Sequence, residues 1–166
     1  ETMSDPASAA TPAPLHPLLA RLEHHHGYPE LNAEMLDDFC ADPIDSVLLF
    51  AGDPAKHPET LDVAAILPEL AAAFGGRLRP AFLRHQNATA LQPRYGFTRW
   101  PALVFVRSGH YVGAIGGVRN WSEYLVEIER LLRSEPARAP TIGIAVSAAG
   151  DAAGMPLIAP GEERNR

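Results

Sequence analysis

Apolar side chains fall at two spacings along this chain. Leu15, Leu18, Leu19 and Leu22 recur at three- and four-residue steps, predicting a helix over 16–26 closed by Gly27. Asn32 is a candidate N-cap for a helix over 33–41 with Met35, Leu36, Phe39 and Cys40 on its apolar side, and Pro43 stops it. The unbroken run Val47-Leu48-Leu49-Phe50, within 46–50, suits a strand buried on both faces. A longer helix over 59–74 carries Leu61, Ala64, Ala65, Leu67, Leu70 and Phe74 as its inner stripe; Pro68 lies inside it and predicts a kink or break, because proline has no N–H to donate.

A second strand is predicted over 78–83, then a short helix over 87–95 with Gly96 as its C-terminal cap. Two apolar runs, 102–106 and 111–115, flank Ser108-Gly109, which signals a hairpin. Asn120 opens a last helix to Arg133 with Tyr124, Leu125, Ile128, Leu131 and Leu132 on one side. With 28–31 read as a short extended segment, the order after the first helix is β-α-β-α-β-α-β-β-α. That order implies an α/β domain with a central mixed sheet, helices on both faces and a closing antiparallel hairpin. The domain is expected to occupy 15–133. Residues 1–14, rich in Ala, Pro and Ser, read as a disordered leader, and 134–166, rich in Pro, Ala and Gly, as a flexible tail. Within that tail Thr141–Val146 has strand character but no evident partner.

Composition narrows the function. A length of 166 residues is one domain's worth, and 46% apolar residues suffice for a core. No apolar run approaches the ~20 residues needed to span a bilayer. The leader lacks the basic and apolar regions of a secretory signal, so a soluble cytoplasmic protein without membrane insertion is expected. One cysteine, Cys40, excludes an internal disulfide, a Cys-x-x-Cys pair and a four-cysteine zinc site. Net charge is −6, which disfavours nucleic acid, but it is unevenly spread. Residues 30–69 hold ten acids against Lys56 alone, whereas 77–138 hold ten arginines against four glutamates. Two oppositely charged solvated faces are the simpler reading of that split; an acidic face for a basic partner is the other.

Metal and acid–base chemistry find little support. Adjacent histidines on a helix point about 100° apart, so His24-His25-His26 cannot all ligate one ion and reads as a solvated helix end. No metal or cofactor is expected. His57 lies in the loop after the first strand, but no partner group suggests a substrate for acid–base work.

The segment Tyr95-Gly96-Phe97-Thr98-Arg99-Trp100-Pro101-Ala102-Leu103-Val104-Phe105, with the hairpin and Gly116-Gly117 after it, resembles thioredoxin. In that superfamily the proline is cis, so Trp100–Pro101 is the candidate cis bond. Thioredoxin carries Trp-Cys-x-x-Cys after its central strand; here the loop is Ala51-Gly52-Asp53-Pro54-Ala55-Lys56-His57-Pro58-Glu59, with no thiol to exchange. Cys40 lies on an earlier helix and is expected to face the core. An enzyme using Cys40 as a monothiol oxidoreductase or peroxidase is the alternative function, and it requires an exposed, acidic thiol.

Asp53-Pro54, Pro58-Glu59 and Asp62, followed by Phe97, Pro101, Ala102, Val104, Phe105, Tyr111, Gly116 and Trp121, are similar to the HyaE/HupG/HoxO group of [NiFe]-hydrogenase expression and maturation proteins. The resemblance implies a thioredoxin-like fold without redox chemistry. It also implies a chaperone that binds the small-subunit precursor of an exported hydrogenase, which bears a twin-arginine signal, and delays export until assembly is finished. Other hydrogenase maturation proteins are further candidate partners. The expected partner-binding residues are Asp53, Pro54, Glu59, Asp62, Trp100 and Pro101. Carboxylates take guanidinium groups bidentately, which suits an acidic loop to paired arginines. Asp53 or Glu59 could equally support the helix N-terminus. Trp100 is either an exposed hot spot or a half-buried packing residue, and Trp121 is expected in the core.

Overall fold

The computed structural model describes residues 14–140. Its elements are α1 (Pro17–His24), α2 (Ala33–Cys40), β1 (Asp45–Phe50), α3 (Glu59–Ala73), β2 (Leu78–Leu83), α4 (His85–Tyr95), β3 (Ala102–Arg107), β4 (His110–Gly116) and α5 (Trp121–Arg133), with a 3-10 turn at Gly75–Arg77 before β2. The four strands form one sheet in the order β2-β1-β3-β4. β1 runs parallel to β2 and antiparallel to β3, and β3 pairs antiparallel with β4. This is a mixed α/β fold of thioredoxin-like order.

Strand alternation sorts the core into two layers. Val47, Leu49, Phe82, Leu103 and Phe105 face one way, against Leu19 and Leu22 of α1, Val63, Leu67 and Leu70 of α3, and Tyr124, Ile128 and Leu131 of α5. Leu48, Phe50, Ala81, Leu83 and Val104 face the other way, against Leu36 and Cys40 of α2 and Ala88 and Tyr95 of α4. All six residues of β1 are buried, as a central strand covered on both faces requires.

Caps close the helices where the residue types predict. The Asn32 carboxamide oxygen accepts from the Glu34 and Met35 N–H groups. Asn120 and Glu123 form a reciprocal capping box on α5. Gly96 ends α4 at φ +73°, the left-handed conformation that favours glycine.

Four details differ from the sequence reading. The extended segment at 28–31 is no strand; it contributes one parallel bridge, Glu30 to Phe82. α3 runs through Pro68 unbroken, because the lost hydrogen bond is flanked by fully buried Leu67 and Leu70, whose packing holds the turn. α4 begins two residues earlier than predicted, at His85. Trp121 is 42% exposed rather than in the core. It extends the stripe of Tyr124, Ile128 and Leu131 by one turn, but α5 there overhangs the apolar layer.

After α5 the chain turns back over the domain. The Ala137 N–H donates to the Tyr111 carbonyl at 2.7 Å. Pro140 packs so tightly on Gly96 that a Cβ there would lie 2.0 Å from its carbonyl oxygen. The leader up to residue 13, and the tail from 141 on with its strand-like 141–146, lie outside the described residues.

Candidate functional site

The loop between β1 and α3 occupies the place where a thioredoxin holds its cysteines. It is sewn to the sheet and to α3 by buried hydrogen bonds. The Ala51 N–H donates to the Leu83 carbonyl at 3.1 Å. The Gly52 N–H donates to Oγ1 of the fully buried Thr60 at 3.0 Å, and that hydroxyl lies 3.4 Å from the Gly52 carbonyl. Asp53 folds the loop itself: its carboxylate accepts from the Ala55 N–H at 3.0 Å, and its carbonyl from the Lys56 and His57 N–H groups at 2.9 and 2.7 Å. Pro58 is the N-cap of α3 and no side chain caps that end. Of the two readings of Asp53, helix capping is therefore replaced by a loop-building role. Glu59 and Asp62 stand exposed in the first turn of α3, where the helix dipole favours negative charge.

The Trp100–Pro101 peptide bond is cis. Pro101 is buried, and its carbonyl accepts from the Gly117 N–H at 2.7 Å. Trp100 is half-buried. Its ring packs edge-on against Phe97 at 5.0 Å and His85 at 6.1 Å, and lies 6.5 Å from the His57 ring. His57 is seated against Gly52, where a Cβ would come within 3.0 Å of its own. The fold thus gathers the loop, the start of α4 and the cis-proline turn around one indole.

Beside this indole is an open cleft of about 390 Å³. Asp53, Pro54, Arg84 and His85 line it, together with Leu15, just before α1, and Leu19 in its first turn. Arg84 is held by Glu30 through a forked contact, Nη2 to Oε1 at 3.1 Å and a second, closer one from Nε. Asp53 and Pro54 are therefore on the cleft, Trp100 and Pro101 lie beside it through His85, and Glu59 and Asp62 stand apart from its lining. The sequence reading did not select His85, Thr60 or the start of α1. No local pattern marks them, since only the folded sheet brings them to the loop.

Cys40 sits in the second apolar layer, 3% exposed. Burial pushes its thiol up to about 11, with Arg79 and Arg94 acting in the opposite direction. A nucleophilic thiol needs the reverse, an exposed sulfur of low pKa. Among the described residues, no group of three or more His, Cys, Asp or Glu could hold a metal ion. Nor is any described helix long and apolar enough to cross a membrane.

Comparison with known proteins assigns the family. The sequence pattern of the family described as Hydrogenase-1 expression protein HyaE matches residues 18–124. The hydrogenase expression/formation protein HoxO of Azotobacter vinelandii is 43% identical over 143 residues, covering 86% of this chain and 96% of that protein. HupG of Bradyrhizobium diazoefficiens, of the same description, is 39% identical over 125 residues, 73% of this chain and 84% of that one. A designed protein of solved structure, 19% identical over 65% of this chain and 94% of its own, superposes with a TM-score of 0.52, a likeness of fold alone. This chain therefore belongs to the HyaE family of hydrogenase expression proteins.

Proposed function

We propose that this protein is a cytoplasmic chaperone of hydrogenase maturation. It binds the small-subunit precursor through its twin-arginine signal and delays export until assembly is complete. The observation that carries the reading is the loop at 51–58. It keeps the position of a thioredoxin active site, builds its turn from Asp53 and Pro54 without a thiol, and opens onto a cleft beside Trp100. An open cleft beside a loop that carries no thiol suits binding rather than disulfide turnover. The single thiol is buried in the apolar layer beneath α2 with its pKa raised, which speaks against the monothiol alternative. Glu59 and Asp62 supply exposed carboxylates next to the cleft's loop, suited to bidentate capture of arginines.

The test is titration of the purified protein with the signal-bearing precursor, and with a precursor whose paired arginines are replaced by lysines. The double variant Glu59→Lys/Asp62→Lys is expected to weaken binding about tenfold in low salt, and less at high salt, where screening shortens the reach of surface charge. Equal affinity for the two precursors, together with an unaffected double variant, would remove the twin-arginine reading.

A further inference from the structure

Immediately before Trp100 in the chain the surface is basic. Arg99 is exposed, and its side chain lies over Gly117: a Cβ at Gly117 would come within 2.6 Å of its Nη2, and one at Gly116 within 3.0 Å of its Cβ. Arg119 reaches the same spot from the other direction, its Nε donating to the Gly116 carbonyl at 3.2 Å. Two guanidinium groups thus converge on one glycine pair. Among the described residues neither takes part in an ion pair.

The carboxylates nearby are already engaged. Glu123 closes the capping box with Asn120, so the N-terminus of α5 is occupied, and Glu127 pairs with Arg130, which lowers its carboxyl pKa with a lesser contribution from the more distant Arg119. Val118, just before Arg119, and Trp121, two residues after it, are exposed apolar side chains. A pair of like charges left together beside an exposed indole lowers its energy when a carboxylate comes between them.

From this we infer that the surface formed by Arg99, Arg119, Val118 and Trp121 docks an acidic segment of a protein partner, one in which aspartate or glutamate flanks an apolar residue. The carboxylates take the two guanidinium forks and the apolar side chain covers Trp121, the residue type that most often anchors such contacts. Nucleic acid is disfavoured by the net charge of −6. The inference does not depend on the twin-arginine reading, which uses other residues of opposite sign.

The test uses the full chain and a labelled synthetic twelve-residue peptide with glutamates flanking a central Leu-Phe. A control peptide carries glutamine at those positions. The acidic peptide is expected to bind, the glutamine peptide at least about tenfold more weakly, since a hydrogen bond from a guanidinium to a carboxylate is stronger than one to a neutral amide. Arg99→Ser/Arg119→Ser and Trp121→Ser should each weaken the acidic peptide about tenfold, while Glu59→Lys/Asp62→Lys should not weaken it. The peptide exchange is made on the unaltered protein, so a poorly folding variant cannot decide the result. Failure of the acidic peptide to bind, equal affinity for the two peptides, or displacement of the peptide by sulfate at equal concentration would each overturn the inference. So would a self-association in sedimentation that the double arginine variant abolishes, since that would assign the patch to a second copy of this chain.

Discussion

Arg107 and Arg99 are both arginines on the β3 side of the molecule, and they serve opposite ends. Arg107 points inward at the end of β3. It donates to both oxygens of Asp45, at 2.6 and 2.9 Å, and to the carbonyls of Leu131, Leu132 and Ser134 at the end of α5. It locks β1, β3 and α5 together. Arg99 lies on a glycine pair at the surface and is paired with nothing among the described residues. The same division runs through the whole charge set. Asp42 pairs with Arg79, Glu30 with Arg84, Asp37 with Arg94 and Asp45 with Arg107. Four acids of the acidic stretch thus neutralise four arginines of the basic stretch. Part of the polarity read along the chain is therefore folded into itself. Glu59 and Asp62 in the first turn of α3, and Arg99 and Arg119 on the glycine pair, are among the described charges left outside these pairs.

The sharpest test of that division is Asp45→Ala. Asp45 is 7% exposed on its side chain and Arg107 23%, so removing the carboxylate leaves a mostly buried guanidinium without its counter-charge. Breaking such a pair costs about 3 kcal/mol, at the low end of the range because Arg107 keeps some access to water and its three carbonyl partners. A urea titration should show a lower midpoint at unchanged slope. A loss below about 1 kcal/mol would mean that the inward charges do not hold the fold, and the contrast with Arg99 would lapse.

A smaller effect is expected under α2, where Cys40 and Tyr95 lie beneath the Asp37–Arg94 and Asp42–Arg79 pairs. Burial raises the Cys40 thiol from about 9 to about 11 and the Tyr95 phenol to about 12. A group whose pKa is raised by folding stabilises the protein while it is protonated. Its contribution is complete below the unfolded value and is lost as pH climbs through the folded one. Stability should therefore fall between about pH 9 and 11. Cys40→Ala should flatten that fall by on the order of 2 kcal/mol across the window, the larger part of the product of the shift and about 1.4 kcal/mol per unit, the rest being lost outside it. Denaturant midpoints at several alkaline pH values, for both proteins, measure it. Identical alkaline slopes would show that the thiol is accessible after all and would reopen the monothiol reading.

How far the chain could be read in advance follows from what kind of information each feature needs. Apolar spacing reports on neighbours a few residues apart, and it located every helix and the four strands of the sheet. Asn32, Asn120 and Gly96 were legible because a cap is a local event. Pro68 does not break α3, because tertiary packing by Leu67 and Leu70 outweighs one missing hydrogen bond. Trp121 misled because its helical face is correct while the end of the helix overhangs the core. At the site, the thiol-free loop and the proline turn were visible as motifs. The grouping of His57 and His85 around Trp100, and of Arg99 with Arg119, was not. Those residues are brought together by the sheet order, which no local pattern contains.

The weakest expected effect marks the other boundary of the division. Asp37 and Arg94 approach to 2.5 Å, as closely as Asp45 and Arg107, so distance alone would rank the two pairs together. Asp37, however, is 74% exposed, and water solvates it whether or not the arginine is there. The Coulomb gain is small at high dielectric and is offset by the entropy of holding two long side chains in register. Asp37→Asn should therefore cost no more than about 0.5 kcal/mol, less still in high salt. It should also leave Arg94 free to stay over the Tyr95 ring, where its guanidinium carbon now lies 5.8 Å from the centroid. The same urea titration used for Asp45→Ala measures it. A cost matching that of Asp45→Ala would show that proximity rather than burial sets the worth of these pairs, and then Arg99 and Arg119, exposed and half-buried, could no longer be separated from the structural arginines by their surroundings.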